Sequence, residues 1–155
     1  MIFLRRLCLM LLISTQSGVA GAAPNELQIS DSFVLYQSSD GSEFSRTDII
    51  PYKENTSCYF WVIEFEPSYG NIEIEEQLTL PSAARIWGHM PGERLRVSFD
   101  KSSAKITRAV DLARGMASYG WCVAKHDPDG QYQFTLRVGS DVLATLPFTL
   151  VTPKP

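Results

Sequence analysis

The sequence is poor in the residues that most often carry chemistry. Its 155 positions hold two histidines, His89 and His126, and three cysteines. No histidine or cysteine recurs at the short spacings of a zinc site. A glycine-rich phosphate loop, a nucleophile elbow and an EF-hand calcium loop are all missing. Nothing in these residues calls for a metal or a cofactor. Basic residues are not in excess: 14 stand against 17 acidic ones, a net charge of -3. That balance argues against a nucleic-acid binder driven by phosphate contacts. After residue 13 no apolar run approaches the roughly 18 residues that a membrane helix needs. Internal repeats and low-complexity segments are also lacking. What remains is 45% hydrophobic and 20% charged, a globular composition of about one domain's length.

The first residues carry an address rather than a fold. Arg5 and Arg6 precede a short apolar run over residues 7–13, and Ala20-Gly21-Ala22 has the small-x-small pattern of a cleavage site. Residues 1–22 therefore read as a signal peptide and residues 23–155 as a single domain. The mature chain is expected to be periplasmic or secreted, with no membrane span. Cleavage removes Cys8, Arg5 and Arg6 and no acid, so the mature chain is more acidic and keeps Cys58 and Cys122. An even pair in an exported protein is most simply one disulfide. It closes a loop of about 65 residues, which chain-entropy arithmetic values at roughly 4 kcal/mol.

Along the mature chain the recurring signal is period-two alternation broken by turns. Strands are expected over 27–36, 49–50, 58–65, 71–80, 94–99, 106–112, 119–125, 131–138 and 142–151. Residues 112–116 hint at a helical turn, and residues 81–93 read as a long loop. In 94–99, Leu95, Val97 and Phe99 are expected inward. Asp127-Pro128-Asp129-Gly130 is a strong turn sequence. Pro147 marks a bulge or an edge in the last strand. Eight or nine short strands in this length imply an all-β, antiparallel β-sandwich. A small closed β-barrel is the alternative.

Parity places the cysteines. Tyr59, Trp61, Ile63 and Phe65 share one face of their strand, and Cys58 lies on the other with Phe60 and Val62. Trp121 and Val123 likewise lie opposite Cys122, Gly120 and Ala124. The disulfide is therefore expected on the outer side of a sheet. It would lie beside an apolar strip of Phe60, Val62, Gly120 and Ala124 that is either covered by another segment or free to bind a partner. The acidic stretch 64–76 precedes a mostly basic stretch 85–114. Neighbouring strands can pair such charges across the ladder, or the charges can steer a partner.

Few groups suggest catalysis. His126 and Asp127 put an imidazole beside a carboxylate, but the turn already accounts for Asp127. His89-Met90 is a soft-metal pair without further ligands. The acid pairs Glu64/Glu66 and Glu73/Glu75 each share a strand face, as glycosidase carboxylates could. Asn55-Thr56-Ser57 matches a glycosylation acceptor. Trp87, in the long loop beside Gly88, His89 and Met90, is either a plug over an open end of the fold or an anchor for a partner.

Trp87-Gly88, Trp121, Asp127-Pro128, Gly130-x-Tyr132, the hairpin after Val138 and Phe148-x-Leu150 resemble small secreted bacterial domains. These have an immunoglobulin-like fold and belong to a family of unknown function. The resemblance implies an immunoglobulin-like sandwich in the bacterial envelope and brings no activity and no catalytic residues. Together the residues point to a non-enzymatic protein-binding module, in its sharpest form an inhibitor or immunity-type protein. Its partner would be another envelope or secreted protein, with Trp87, His89, Met90, Phe60 and Val62 as candidate contacts. The alternatives are a carbohydrate-binding module using Trp87 and a small envelope hydrolase using His126 and Asp127.

Overall fold

Strands whose apolar residues alternate must bury one face, and here two sheets bury theirs against each other. The computed structural model describes residues 27–38, 41, 43–88 and 94–153. The segment 1–22, expected to be a signal peptide, lies outside the described residues. Ten strands follow one another: β1 (Ile29–Gln37), β2 (Phe44–Arg46), β3 (Ile49–Pro51), β4 (Cys58–Phe65), β5 (Asn71–Thr79), β6 (Arg96–Val97), β7 (Ser103–Asp111), β8 (Met116–Cys122), β9 (Gly130–Val138) and β10 (Asp141–Val151). One sheet has the order β2-β1-β4-β8 and the other β3-β10-β9-β5-β7-β6. This is a two-sheet sandwich and not a closed barrel. All pairings are antiparallel except β3 with β10, which is parallel.

The core lies between the sheets. Trp61 and Ile63 of β4 meet Ile74 and Leu78 of β5, Phe134 and Leu136 of β9 and Leu150 of β10, all essentially without exposure. Tyr59 packs its ring against Phe148, Phe134 and Tyr132 at centroid distances of 4.8, 6.0 and 6.2 Å. Burial pushes the Tyr59 and Tyr132 hydroxyls well above the ordinary tyrosine range, so both stay neutral. The Tyr132 hydroxyl donates to the Pro128 carbonyl at 2.8 Å and ties β9 to the turn before it. The expected helical turn is a single 3-10 turn, Leu112–Arg114, capped by the Asp111 carboxylate and ended by Gly115 at φ 67°. A Cβ at Gly115 would also stand 2.9 Å from Pro67.

The cysteine parity holds. Cys58 pairs with Cys122 directly across the β4–β8 ladder, and the two form a disulfide on the outer side of the small sheet. The apolar strip beside them is largely covered. Val62 is buried, so it offers no surface to a partner. Phe60 lies over its ladder partner Gly120, where an added Cβ would clash with the ring. Phe60 also contacts the ring of Phe44.

The strand expected over 94–99 does not form along its length. Only Arg96–Val97 pairs, with Lys105 and Ala104, and Phe99 is fully exposed. The sheet's last edge leaves Val97 and Phe99 no facing layer to pack against. The bulge in β10 falls between Val142 and Ala144, not at Pro147. Pro147 instead sits where β3, which pairs only Thr149–Val151, no longer runs beside β10.

Two charged residues stand on the core face. Glu76 of β5 is completely buried and Arg108 of β7 nearly so. The Arg108 Nε donates to Glu76 Oε2 at 3.1 Å, and the Trp61 Nε1 of the opposite sheet donates to the same oxygen at 2.8 Å. The Trp121 Nε1 donates to Glu76 Oε1. One carboxylate thus accepts bonds from both sheets.

Removing one partner of such a group strands the other charge. Glu76→Gln places amide hydrogens against donors and is expected to destabilise the fold by about 3–5 kcal/mol in urea unfolding. The double variant Glu76→Leu/Arg108→Leu still leaves the Trp61 and Trp121 N–H groups without an acceptor but no longer strands a charge, so it should lose less than Glu76→Leu alone. The oxidised chain should also show no titratable thiol at Cys58 or Cys122, and reduction should lower stability by roughly 4 kcal/mol.

Candidate functional site

The small sheet stops at β8, whereas the large one continues past β5 to β7 and β6. The uncovered part of the large sheet is roofed by the loop after β5. Ala84 of that loop is buried and its N–H donates to the Lys101 carbonyl at 3.0 Å. The Trp87 Nε1 donates to the same carbonyl at 3.1 Å. These bonds fold the loop back and bring the Trp87 ring edge-to-face onto Trp121, with centroids 5.8 Å apart and planes at 82°.

Between this loop, β8 and the large sheet lies a cleft of about 410 Å³. Trp87, Trp121, Ile86, Leu80, Arg108 and Asp127 are among its lining residues. Ile86 is exposed and Trp87 half-buried. The Arg108 guanidinium lies 4.7 Å above the Tyr119 ring while it bonds Glu76, so both its position and that of Trp121 are fixed by one buried carboxylate. Trp87 is therefore plug and wall at once: it is anchored by its indole N–H and presents its ring to the cleft.

The turn at the end of β8 closes the far side. His126 adopts φ 69° and is exposed. Its backbone N–H donates to the Tyr52 hydroxyl at 3.0 Å. The Asp127 Oδ2 accepts from the Ala124 N–H at 2.8 Å, which is the structural role the turn sequence implied. Desolvation at the cleft wall raises the Asp127 carboxyl above the ordinary aspartate range, against the lowering effect of that hydrogen bond.

Of the sequence candidates, Trp87 and Asp127 line the cleft, as does Asn55, while Phe60 and Val62 belong to the other side of the small sheet. His89 and Met90 lie outside the described residues. The charge-rich strands pair across the ladder: Glu75 bonds Arg96 and Lys105, each at 2.8 Å. These contacts hold Glu75 below the usual glutamate range, with the Lys105 hydrogen bond the largest cause. Among the described residues no group of three His, Cys, Asp or Glu side chains is placed to hold a metal. Sequence reasoning missed Trp121 as a cleft wall and Glu76 and Arg108 as its supports. The signal was available, because both charges fall on the core parity of apolar strands.

The family model described as the PM0630 beta sandwich domain matches residues 31–151. The chain belongs to this family. The match runs from within β1 to the end of β10 and so touches every strand of both sheets. No curated protein matches the chain. Among solved structures, it is similar to an immunoglobulin-like protein from Pseudomonas aeruginosa. That likeness has a TM-score of 0.54 at 14% identity over 81% of this chain and 97% of the other. At that identity the likeness concerns the fold alone, and the fold is an immunoglobulin-like β-sandwich.

The raised Asp127 carboxyl gives a pH test with a definite sign. A folded state that favours the protonated acid gains stability below the ordinary aspartate value and loses it as pH rises through the raised one. Asp127→Asn keeps an acceptor for the Ala124 N–H and removes the charge. Its stability relative to the native chain should therefore improve between pH 3 and pH 6 in urea unfolding.

Proposed function

We propose that the chain is a non-enzymatic binding domain, exported to the periplasm or secreted, that holds another envelope or secreted protein through the Trp87–Trp121 cleft. The observation that carries this reading is the corner made by the two indoles. Rings at 82° with an apolar floor form a slot for one inserted side chain. Buried aromatic pockets of this kind concentrate binding energy in protein interfaces. Carbohydrate modules need two or more roughly coplanar exposed aromatics, and these two indoles are nearly perpendicular. A hydrolase would need His126 and Asp127 to converge on a substrate. Here Asp127 is engaged with its own turn, and His126 is not among the cleft's lining residues.

Export is supported by the pattern of residues 1–22 and by a disulfide, which persists in oxidising compartments. An inhibitor or immunity-type role fits a small rigid scaffold with a preformed slot and few catalytic groups.

The test is affinity capture from the native envelope with the oxidised chain, repeated with Trp87→Ala. That variant loses one hydrogen bond, one aromatic pair and the ring's packing against the core, so it should still fold, with a stability loss of about 2–4 kcal/mol. One stoichiometric protein partner, bound at least about tenfold more weakly by the variant, is the expected result. Glycan enrichment, or a partner indifferent to Trp87→Ala, would defeat the reading.

A further inference from the structure

The two sheets end in four edge strands. Three are very short: β2 and β3 have three residues each and β6 has two. Short edges are a common guard against unwanted strand pairing. The fourth, β8, has seven residues, Met-Ala-Ser-Tyr-Gly-Trp-Cys, with no charge and no proline.

Its backbone direction follows from its neighbours. The Val123 N–H donates to the Ser57 carbonyl, and the Gly115 carbonyl accepts from the Phe65 N–H. Odd-numbered positions of β8 therefore face β4, and Met116, Ser118, Gly120 and Cys122 turn their N–H and C=O groups to the open edge. Among the described residues none of these outward groups has a partner. The positions around them are treated differently. At Ala124 the N–H is taken by Asp127 and the C=O by the Tyr52 hydroxyl. On the facing edge of β7, the Ala109 carbonyl is taken by the Tyr119 hydroxyl at 3.1 Å. Side chains cap the surroundings and leave four consecutive outward positions of β8 open.

Beside that edge lie two cavities, both between β8 and the large sheet. One is the Trp87–Trp121 cleft, and the other, of about 440 Å³, runs along Ala109–Asp111 and Met116–Tyr119. A strand laid against β8 would direct alternate side chains into these spaces. A second copy of β8 would not fill them, because its inward residues Ala117, Tyr119 and Trp121 already pack in their own core. The disulfide and the Trp121–Glu76 bond hold β8 in place, so little order remains to be imposed on binding.

We propose that β8 is an acceptor edge. The partner's extended segment, of about seven residues, with an apolar side chain for the Trp87–Trp121 cleft and polar ones for the cavity that Asp111 and Arg114 line, adds to β8 as a fifth strand of the small sheet. This rests on the protein-binding reading above and names the form in which the partner is held.

The probe is the tightest peptide that a phage-displayed dodecapeptide library yields on the oxidised full chain. Bound peptide should slow amide exchange at Met116, Ser118, Gly120 and Cys122. Ser118→Pro removes one outward N–H and no bond to β4, so the fold should survive, with peptide affinity falling about tenfold or more. Selected peptides that leave those four amides unprotected overturn the proposal, as does a library that yields no binder. Full affinity in a folded Ser118→Pro variant, with loss in Trp87→Ala, overturns strand addition and keeps the cleft reading; insensitivity to both removes both. Protection that rises with protein concentration alone, together with a dimeric mass, assigns the edge to a second copy and also overturns the proposal.

Discussion

One buried carboxylate sets the relation between the two sheets. Glu76 belongs to the large sheet, yet two of its three described donors, Trp61 and Trp121, come from the small one. Removing a carboxylate from water without compensation is expensive. The geometry in which all three donors reach it is therefore strongly preferred over sliding or splaying of the layers. Apolar packing alone tolerates such shifts, because many arrangements bury similar area. The ion pair with Arg108 supplies countercharge, and the indoles supply direction.

The same constraint reaches the surface. Trp121 and Arg108 are fixed at one end by Glu76 and line the cleft at the other. Trp87 is held independently, through Lys101 and the loop that roofs the overhanging sheet. The slot is thus built from two rigid supports that converge, and not from a flexible loop alone. Preformed pockets lose less entropy when occupied.

Much of the fold was legible because period-two patterns survive wherever one face is buried. The inward face of β5 and the outward cysteines both follow from parity. The stretch 94–99 misled because alternation reports which residues share a face, not whether another layer covers it. At the rim of the six-stranded sheet nothing packs against Phe99. Strand count could not separate sandwich from barrel, since closure depends on which edges pair. The site was half legible. Trp87 stood out as an aromatic in a long loop, whereas Trp121 looked like ordinary core. Glu76 between Ile74 and Leu78, and Arg108 between Ile106 and Val110, broke two apolar faces at complementary charges. Read as a pair, they announce a buried contact before any coordinates exist.

The disulfide completes the same logic. A terminal strand is held by one ladder only, so β8 has fewer restraints than β1 or β4. Cys58–Cys122 joins its last residue to β4, and Trp121, one residue earlier, is joined to Glu76 across the core. Gly120, next again, carries the Phe60 ring on its outer side. Three consecutive residues are thus secured to the neighbouring strand, to the opposite sheet and beneath an aromatic ring. That density of restraint exceeds what a peripheral strand needs for burial, since most of β8 is only partly covered. Rigidity concentrated at a sheet edge, next to a cleft, suits a strand whose function lies on its open side.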